Sequence, residues 1–310
     1  MQKKIAVYLD KCPAYEATAL KNFFEHSLAR NAGSLFRGSK VFVKPNLLSP
    51  KRGGLACTDG RFLLALAEWL VDQGAVVLVG DSPAFGKASA VLHALGIDGQ
   101  LQRLGVTVCD LRKAVVRKLG CGVDIGVAAE ALECDLFVNV PKLKAHDQMY
   151  VSMGVKNVFG IVCGMRKAML HMRYGGPADV FRKILMDLTA LLPANVSVID
   201  GITAMHVQGP LTGESLALNC IGCSADPVAL DTALLHALEL SPQKSPLWCE
   251  ARERDYPGAE LGMIDFPLLA PAAFYASGFR APLELSPVRF NPARFAGSTF
   301  KRWSLYLRGK

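Results

Sequence analysis

The sequence contains no run of the roughly eighteen apolar residues that a membrane-spanning helix needs, so no such span is expected in its 310 residues. No secretion signal is expected in the first twenty residues, because Lys3, Lys4, Asp10 and Lys11 break up any apolar core there. The Cys-x-x-Cys-x-x-Cys-x-x-x-Cys run of ferredoxin-type clusters is missing, which removes that way of holding iron and sulfide. The glycines from Gly80 to Gly86 fit neither the dinucleotide fingerprint nor a P-loop, since Gly86-Lys87-Ala88-Ser89 misses the required spacing. Aromatic residues make up 8% and do not alternate with basic ones. A stacking platform for single-stranded nucleic acid needs that alternation, so nucleic acid is not an expected partner.

What is present is a chain able to build a large core, with 51% hydrophobic and 20% charged residues. A formal charge of +8 points to an anionic ligand or surface without choosing among phosphate, carboxylate and lipid. The nine cysteines are odd in number and scattered, as expected of reduced thiols in a cytoplasmic protein. Cys220 and Cys223 form a lone Cys-x-x-Cys. Their separation of three puts them on opposite faces of a strand, so they are read as core cysteines.

Apolar runs predict strands at 5–9, 41–43, 76–79, 105–111, 136–140, 196–199 and 216–221. Helical periodicity predicts helices at 18–28, 62–73, 88–95, 181–192 and 228–240. Thr58 or Asp59 is placed to cap the helix at 62, and Asp226 with Pro227 marks the start of the last one. Strands alternating with helices in this way imply an α/β fold with a mainly parallel sheet flanked by helices. Prolines recur from Pro242 to Pro292 with little periodicity. The expected division is therefore a core domain over residues 1–240 and an irregular C-terminal extension over 241–310, packed on the core. The extension ends in a basic, aromatic stretch, Phe300 to Lys310.

The chain is organised around residues 135–164, DLFVNVPKLKAHDQMYVSMGVKNVFGIVCG. Leu136 to Val140 reads as a buried strand, and Pro141 is expected to end its pairing because it has no N–H. Lys142, Lys144, His146 and Asp147 then follow, and Lys156 and Asn157 come after a glycine. Ligands of open α/β sheets bind at the carboxyl ends of the strands. The strand at 41–43 likewise delivers Lys44 and Asn46, and the one at 76–79 delivers Gly80, Asp81 and Ser82. Lysines grouped there supply positive charge, or a nucleophile once burial or neighbouring cations depress a pKa. His146 has the ordinary pKa of an acid–base group. His206 and Asp200 stand at comparable positions.

In order along the chain come Val43-Lys44-Pro45-Asn46, Thr58-Asp59, Gly80-Asp81-Ser82-Pro83, Asn139-Val140-Pro141-Lys142-Leu143-Lys144-Ala145-His146, Lys156-Asn157-Val158-Phe159-Gly160, Asp200-Gly201-Ile202, Gly209-Pro210 and Asp226-Pro227-Val228-Ala229-Leu230-Asp231. Over residues 40–240 this pattern resembles the DUF362 family, a domain of unknown function. From His146 to His171 the layout is also similar to the amino-terminal domain of nickel-dependent lactate racemases. That likeness implies an acid–base role for His146, a tethered pyridinium nucleotide on Lys156 and a nickel-ligand role for His171. The segment departs from that family in placing Gly154-Val155 before the lysine and no histidine between Gly80 and Gly86.

The expectation drawn from these residues is an enzyme, a lyase, isomerase or redox enzyme, acting on a small anionic substrate or a phosphate-bearing cofactor. Lys156, His146 and Lys144 would carry the chemistry. Lys44, Asn46, Gly80, Asp81, Ser82, Lys142 and Asn157 would bind the anion. A metal, held in part by His171, or a lysine-tethered nucleotide is the expected kind of cofactor. The alternative is a non-catalytic carrier of a metal, an iron–sulfur cluster or a redox partner. The sheet edges and the extension leave room for a homodimer.

Overall fold

The computed structural model describes residues 4–32, 36–51, 53–163, 170, 174 and 180–286. The chain begins with strands β1 (Ile5–Ala6) and β2 (Tyr8–Lys11) and helix α1 (Ala17–Ala32). Then come β3 (Lys40–Pro45), the short helix α2 (Gly53–Ala56), α3 (Gly60–Asp72) and β4 (Val76–Gly80). Helices α4 (Ala88–Ala94) and α5 (Asp98–Arg103) lead to β5 (Thr107–Cys109). A hairpin of β6 (Ala114–Lys118) and β7 (Asp124–Ala128) and the single turn α6 (Ala129–Leu132) precede the central stretch. That stretch forms β8 (Leu136–Val140), β9 (Lys142–His146), β10 (Tyr150–Ser152) and α7 (Gly154–Val158). The remainder is α8 (Val180–Ala190), two long strands β11 (Asn195–His206) and β12 (Glu214–Ser224), α9 (Pro227–Ala237), α10 (Pro246–Glu253) and β13 (Ile264–Asp265).

Nine strands join in one sheet of order β10-β9-β11-β8-β3-β4-β5, with β12 beside β11 and β2 beside β12. Strands β8, β3, β4 and β5 run parallel, and β11 is parallel to β8 and β9. β12, β2 and β10 are antiparallel additions. The fold is therefore α/β with a mostly parallel central sheet, as the alternation of elements implied. The period of two sorts each strand between cores. Val41 and Val43 of β3 pack in one core with Phe24 of α1 and Phe62 and Leu66 of α3. Phe42 points the other way, into a core shared with Phe137, Phe159 and Phe181. A third core joins Leu143 and Ala145 of β9 to Leu230, Leu234 and Leu235 of α9.

Local chemistry sets the helix starts. Asp59 caps α3, its carboxylate accepting from Arg61 N–H at 2.9 Å. Thr58 is used otherwise: its hydroxyl donates to Val140 O and accepts from Asn46 N–H. Asp226 caps α9 through the N–H groups of Val228 and Ala229, and Pro227 fills the first position, where its missing N–H costs nothing.

One expectation about the central stretch needs correcting. Pro141 does end β8 and its pairing with β3, at Val140, but no loop follows: the chain resumes at once as β9. Val140 O accepts from Asn46 N–H at 3.1 Å and Pro141 O from Asp200 N–H at 3.0 Å. A proline lacks only the donor, so its carbonyl still serves the ladder. Beyond it the chain leaves β3, pairs with β11 and β10, and forks the sheet. Lys142 and Lys144 thus stand on a buried strand, not on a loop. The hairpin at β6 and β7 had no legible pattern, because its outer strand is largely exposed and carries charge. Residues 242–286 run through short 3-10 turns and α10 packed on α9, and β13 pairs with β1. The basic aromatic end of the chain lies outside the described residues.

Phe42 and Phe137 meet with ring centroids 5.7 Å apart on neighbouring strands, both fully buried. Phe137→Ala is expected to lower stability by about 3–5 kcal/mol through lost burial and the cavity left behind. The midpoint of urea unfolding, at unchanged slope, checks this.

Candidate functional site

Three lysine ammonium groups are buried where the sheet forks: Lys44 at 0% exposure and Lys142 and Lys144 at 2% each. Lys44 leaves the carboxyl end of β3 on the face of Phe42. Its Nζ lies 3.1 Å from Asp81 Oδ1, 2.8 Å from Pro45 O and 3.2 Å from Asn157 Oδ1. Asp81, the residue after β4, spreads its carboxylate between this lysine and the N–H groups of Leu47 and Ser82. Gly160 closes over the pair, and a Cβ there would overlap Lys44 Cε, Lys44 Nζ and Asp81 Oδ1.

Lys142 and Lys144, two residues apart, share one face of β9. Lys142 Nζ sits 2.8 Å from Asp200 Oδ2 and 3.0 Å from Tyr15 Oη. Tyr15 donates to Asp200 Oδ1 at 2.9 Å, and Asp200 also accepts from Asp59 N–H. Arg61 covers the Tyr15 ring at 4.4 Å and holds Asp59 in a two-pronged ion pair. Lys144 differs from both. Its Nζ donates to Asn46 Oδ1 at 2.6 Å and to Ala56 O at 2.8 Å, two neutral acceptors.

Side-chain amides tie these groups together. Asn157 Oδ1 accepts from Lys44 Nζ and from Asn46 Nδ2 at 3.1 Å. Its Nδ2 donates to Lys44 O and to Asn139 Oδ1 at 2.8 Å. Asn139 in turn donates to Gly154 O and Ser197 Oγ. Each lone pair and N–H of Asn157 is used, which fixes its orientation and, through Asn46, that of the Lys144 acceptor.

The electrostatics follow from this partnering. Three buried ammonium groups face two carboxylates, Asp81 and Asp200, while Asp59 is spent on Arg61. Burial disfavours an ammonium charge. It draws the pKa of Lys44 below the ordinary value even with Asp81 alongside. It lowers Lys144 to about 8, against the opposing influence of Cys57 and Asp81 and with the charges of Lys44 and Lys142 adding to it. Burial and the charge of Asp200 push the Tyr15 hydroxyl far up. The set can therefore hold one proton in a balance near neutrality, on Lys144, or take up one negative charge.

The other residues singled out from the sequence lie elsewhere. Lys156 is on α7 next to Asn157, but its ammonium rests over Phe159 at 4.9 Å and Phe181 at 6.0 Å. His146 is buried, and its Nδ1 accepts from the N–H groups of Gln148 and Met149 at 3.2 Å, which requires a lone pair there. Asp147 ties a loop, accepting from Gly209 N–H at 2.9 Å. Gly80 ends β4 against Phe42 and Cys109, and Ser82 N–H points at Asp81 and Gly160 O. His206 ends β11 beside Phe279. His171 lies outside the described residues. Cys220 and Cys223 fall in different cores on the two faces of β12, and burial pushes both thiols up to about 12. Tyr15 went unnoticed because nothing local marks it. Asn139 had a signal, an amide inside the apolar run of β8, which must find buried partners.

The family profile described as a domain of unknown function, DUF362, matches residues 41–236, a span that holds nearly all of the groups above. This chain belongs to the DUF362 family. A thylakoid-associated protein of Synechocystis sp. is 33% identical to this DUF362 chain over 273 residues, covering 87% of it and 84% of the relative. Two solved structures are similar in outline: the lactate racemase apoprotein of Thermoanaerobacterium thermosaccharolyticum, with a TM-score of 0.48, and a protein of Thermotoga maritima, with 0.47. Each is 13% identical; they cover 76% and 71% of this chain, which spans 57% of either length. Neither likeness carries an argument about the chemistry. No helix of the described residues is long and apolar enough to cross a membrane.

Removing one partner from a buried ion pair strands the other charge. Asp200→Asn, which leaves Lys142 with no carboxylate, is expected to cost about 3–5 kcal/mol of stability. The double variant Asp200→Asn with Lys142→Met should recover most of that loss, as read from paired denaturation curves.

Proposed function

We propose that this DUF362 chain is an enzyme acting on a small anionic substrate, with Lys144 as its acid–base or nucleophilic amine. The observation that carries the reading is the contrast among the three buried lysines. Lys44 and Lys142 each have a carboxylate partner, whereas among the described residues Lys144 donates to an amide oxygen and a peptide carbonyl and pairs with no carboxylate. An amine buried without a counter-charge is poised to lose its proton near neutral pH, the condition for nucleophilic or general-base chemistry. The same surplus of one positive charge favours an anionic ligand when Lys144 is protonated. Lys44, Lys142, Asn46 and Asn157 are the supporting set. Lys156 and His146 stay in the proposal as groups on adjoining elements, His146 on β9 itself and Lys156 beside Asn157.

The alternative reading is a non-catalytic carrier of a metal, an iron–sulfur cluster or a redox partner. Among the described residues, no group of three or more histidine, cysteine, aspartate or glutamate side chains stands ready for a metal ion. A redox partner, a homodimer and a cytoplasmic location remain parts of the proposal that site geometry does not bear on. The relative's name adds a membrane surface as a second place to look, and cell fractionation distinguishes the two.

The test is a titration of lysine Cε resonances in protein labelled with 13C at that carbon. The resonance lost in Lys144→Met is expected to titrate with a midpoint near 8, against about 10.4 for exposed lysines. Inorganic phosphate or a two- to four-carbon carboxylate should shift that resonance and raise its midpoint, since an anion favours the ammonium. A midpoint near that of exposed lysines, unmoved by any of these anions, overturns the reading. Stability should follow the same sign. Between about pH 8 and 10 the unfolded chain holds a Lys144 proton that the folded chain has lost, so this group's contribution rises with pH. Lys144→Met removes that slope.

A further inference from the structure

Asp231 belongs to the Asp226-Pro227-Val228-Ala229-Leu230-Asp231 run, and its carboxylate serves a helix other than its own. Oδ1 accepts from Gly154 N–H at 2.6 Å and Oδ2 from Val155 N–H at 3.1 Å. These are the first two N–H groups of α7, which Met153 does not cap with a side chain. The fit depends on glycine, since a Cβ on Gly154 would lie 2.9 Å from Asp231 Oδ1 and 3.2 Å from Pro227 Cβ. Three residues on, the same helix carries Asn157, which holds Lys44 and Asn46, and Asn46 holds Lys144.

We infer that Asp231 is the positioning residue of the lysine site: its ionised carboxylate clamps the first turn of α7, and through Asn157 and Asn46 it sets the acceptor of Lys144. The inference rests on the reading of Lys144 given above. Two converging N–H donors need two acceptor oxygens. Protonation puts a hydrogen on one of them and leaves it a much weaker acceptor, so the clamp is strongest when Asp231 is charged.

Among the described residues no cation pairs with that charge. Asp226, on the same helix, is occupied with its own cap. Glu250 of α10 is taken up by Arg182 and Arg254. The ammonium of Lys156 on α7 lies over Phe159. Trp248 and Ser245 face Asp231 across a small, mostly apolar cavity. No salt bridge reaches Asp231 among the described residues. Burial, with the nearby charge of Asp226 acting in the same direction, outweighs the two N–H donors and raises its pKa to about 7, which brings loss of the clamp's charge within reach of neutral pH.

The experiment follows the side-chain amide resonances of Asn157 in protein labelled with 15N on asparagine amides, assigned by their loss in Asn157→Ser. In wild-type protein they are expected to shift in two steps with pH, the lower near 7 and the upper near 8. Asp231→Asn should abolish the lower step, and Lys144→Met should abolish the upper step and keep the lower. The inference is overturned if wild-type protein shows no step near pH 7, a result that does not depend on any variant folding. It is equally overturned if the step persists in Asp231→Asn. An upper step that survives Lys144→Met counts against the lysine reading and leaves the Asp231 step to stand or fall separately.

Discussion

Placing three ammonium groups out of water within one sheet is the constraint on which the centre of this protein depends. A buried charge is tolerated only where acceptors surround it, and the penalty for leaving one out is several kcal/mol. Lys44 and Lys142 meet that demand with Asp81 and Asp200, each delivered by the carboxyl end of a strand or the middle of β11. Lys144 meets it with an amide and a carbonyl, and burial then lowers its pKa instead. The fork at Pro141 supplies the room. Where β9 departs from β3, the side chains of Asn46, Lys44 and Lys144 fill the gap that the ladder no longer closes.

The polar groups form a connected frame. Lys144 donates to Asn46, Asn46 to Asn157, Asn157 to Asn139 and Asn139 to Ser197, with donors and acceptors matched at each step. Close backbone approaches make this fit possible. Gly160 lies against the Lys44–Asp81 pair, and Gly154 admits the Asp231 carboxylate. Such a network rigidifies its members, and loss of any one of them strands its neighbours. Hydrogen bonds thus lead from Asp231 on α9 to α7, and from Asn157 of α7 through Asn46 to Lys144 on β9.

Much of the architecture was legible along the chain. The apolar runs of β3, β4 and β8 and the caps Asp59 and Asp226 mark their elements by local chemistry that tertiary packing had no reason to override. Lys44, Asn46, Asp81 and Lys142 were legible because each ends or follows a buried strand, whereas the places of Lys144 inside β9 and of Asn157 on α7 came from the structure. What was not legible came from contacts distant in sequence. Tyr15 reaches Asp200 across 185 residues, and no local pattern announces it. The hairpin of β6 and β7 pairs mostly with itself and exposes most of its outer strand, so neither period nor hydrophobicity marked it. His146 stands out by residue type, but only the structure gives the two backbone N–H groups that its Nδ1 accepts from the following turn.

The sequence by itself determined the alternation of elements, and therefore the α/β class, because periodicity and capping act within a few residues. It also determined which side chains arrive at the strand ends. Only the tertiary structure decided which lysine would lack a carboxylate. That difference among Lys44, Lys142 and Lys144 depends on where Asp81 and Asp200 come to rest once the sheet closes, and Coulombic and desolvation effects depend on distance and burial in space rather than on spacing along the chain.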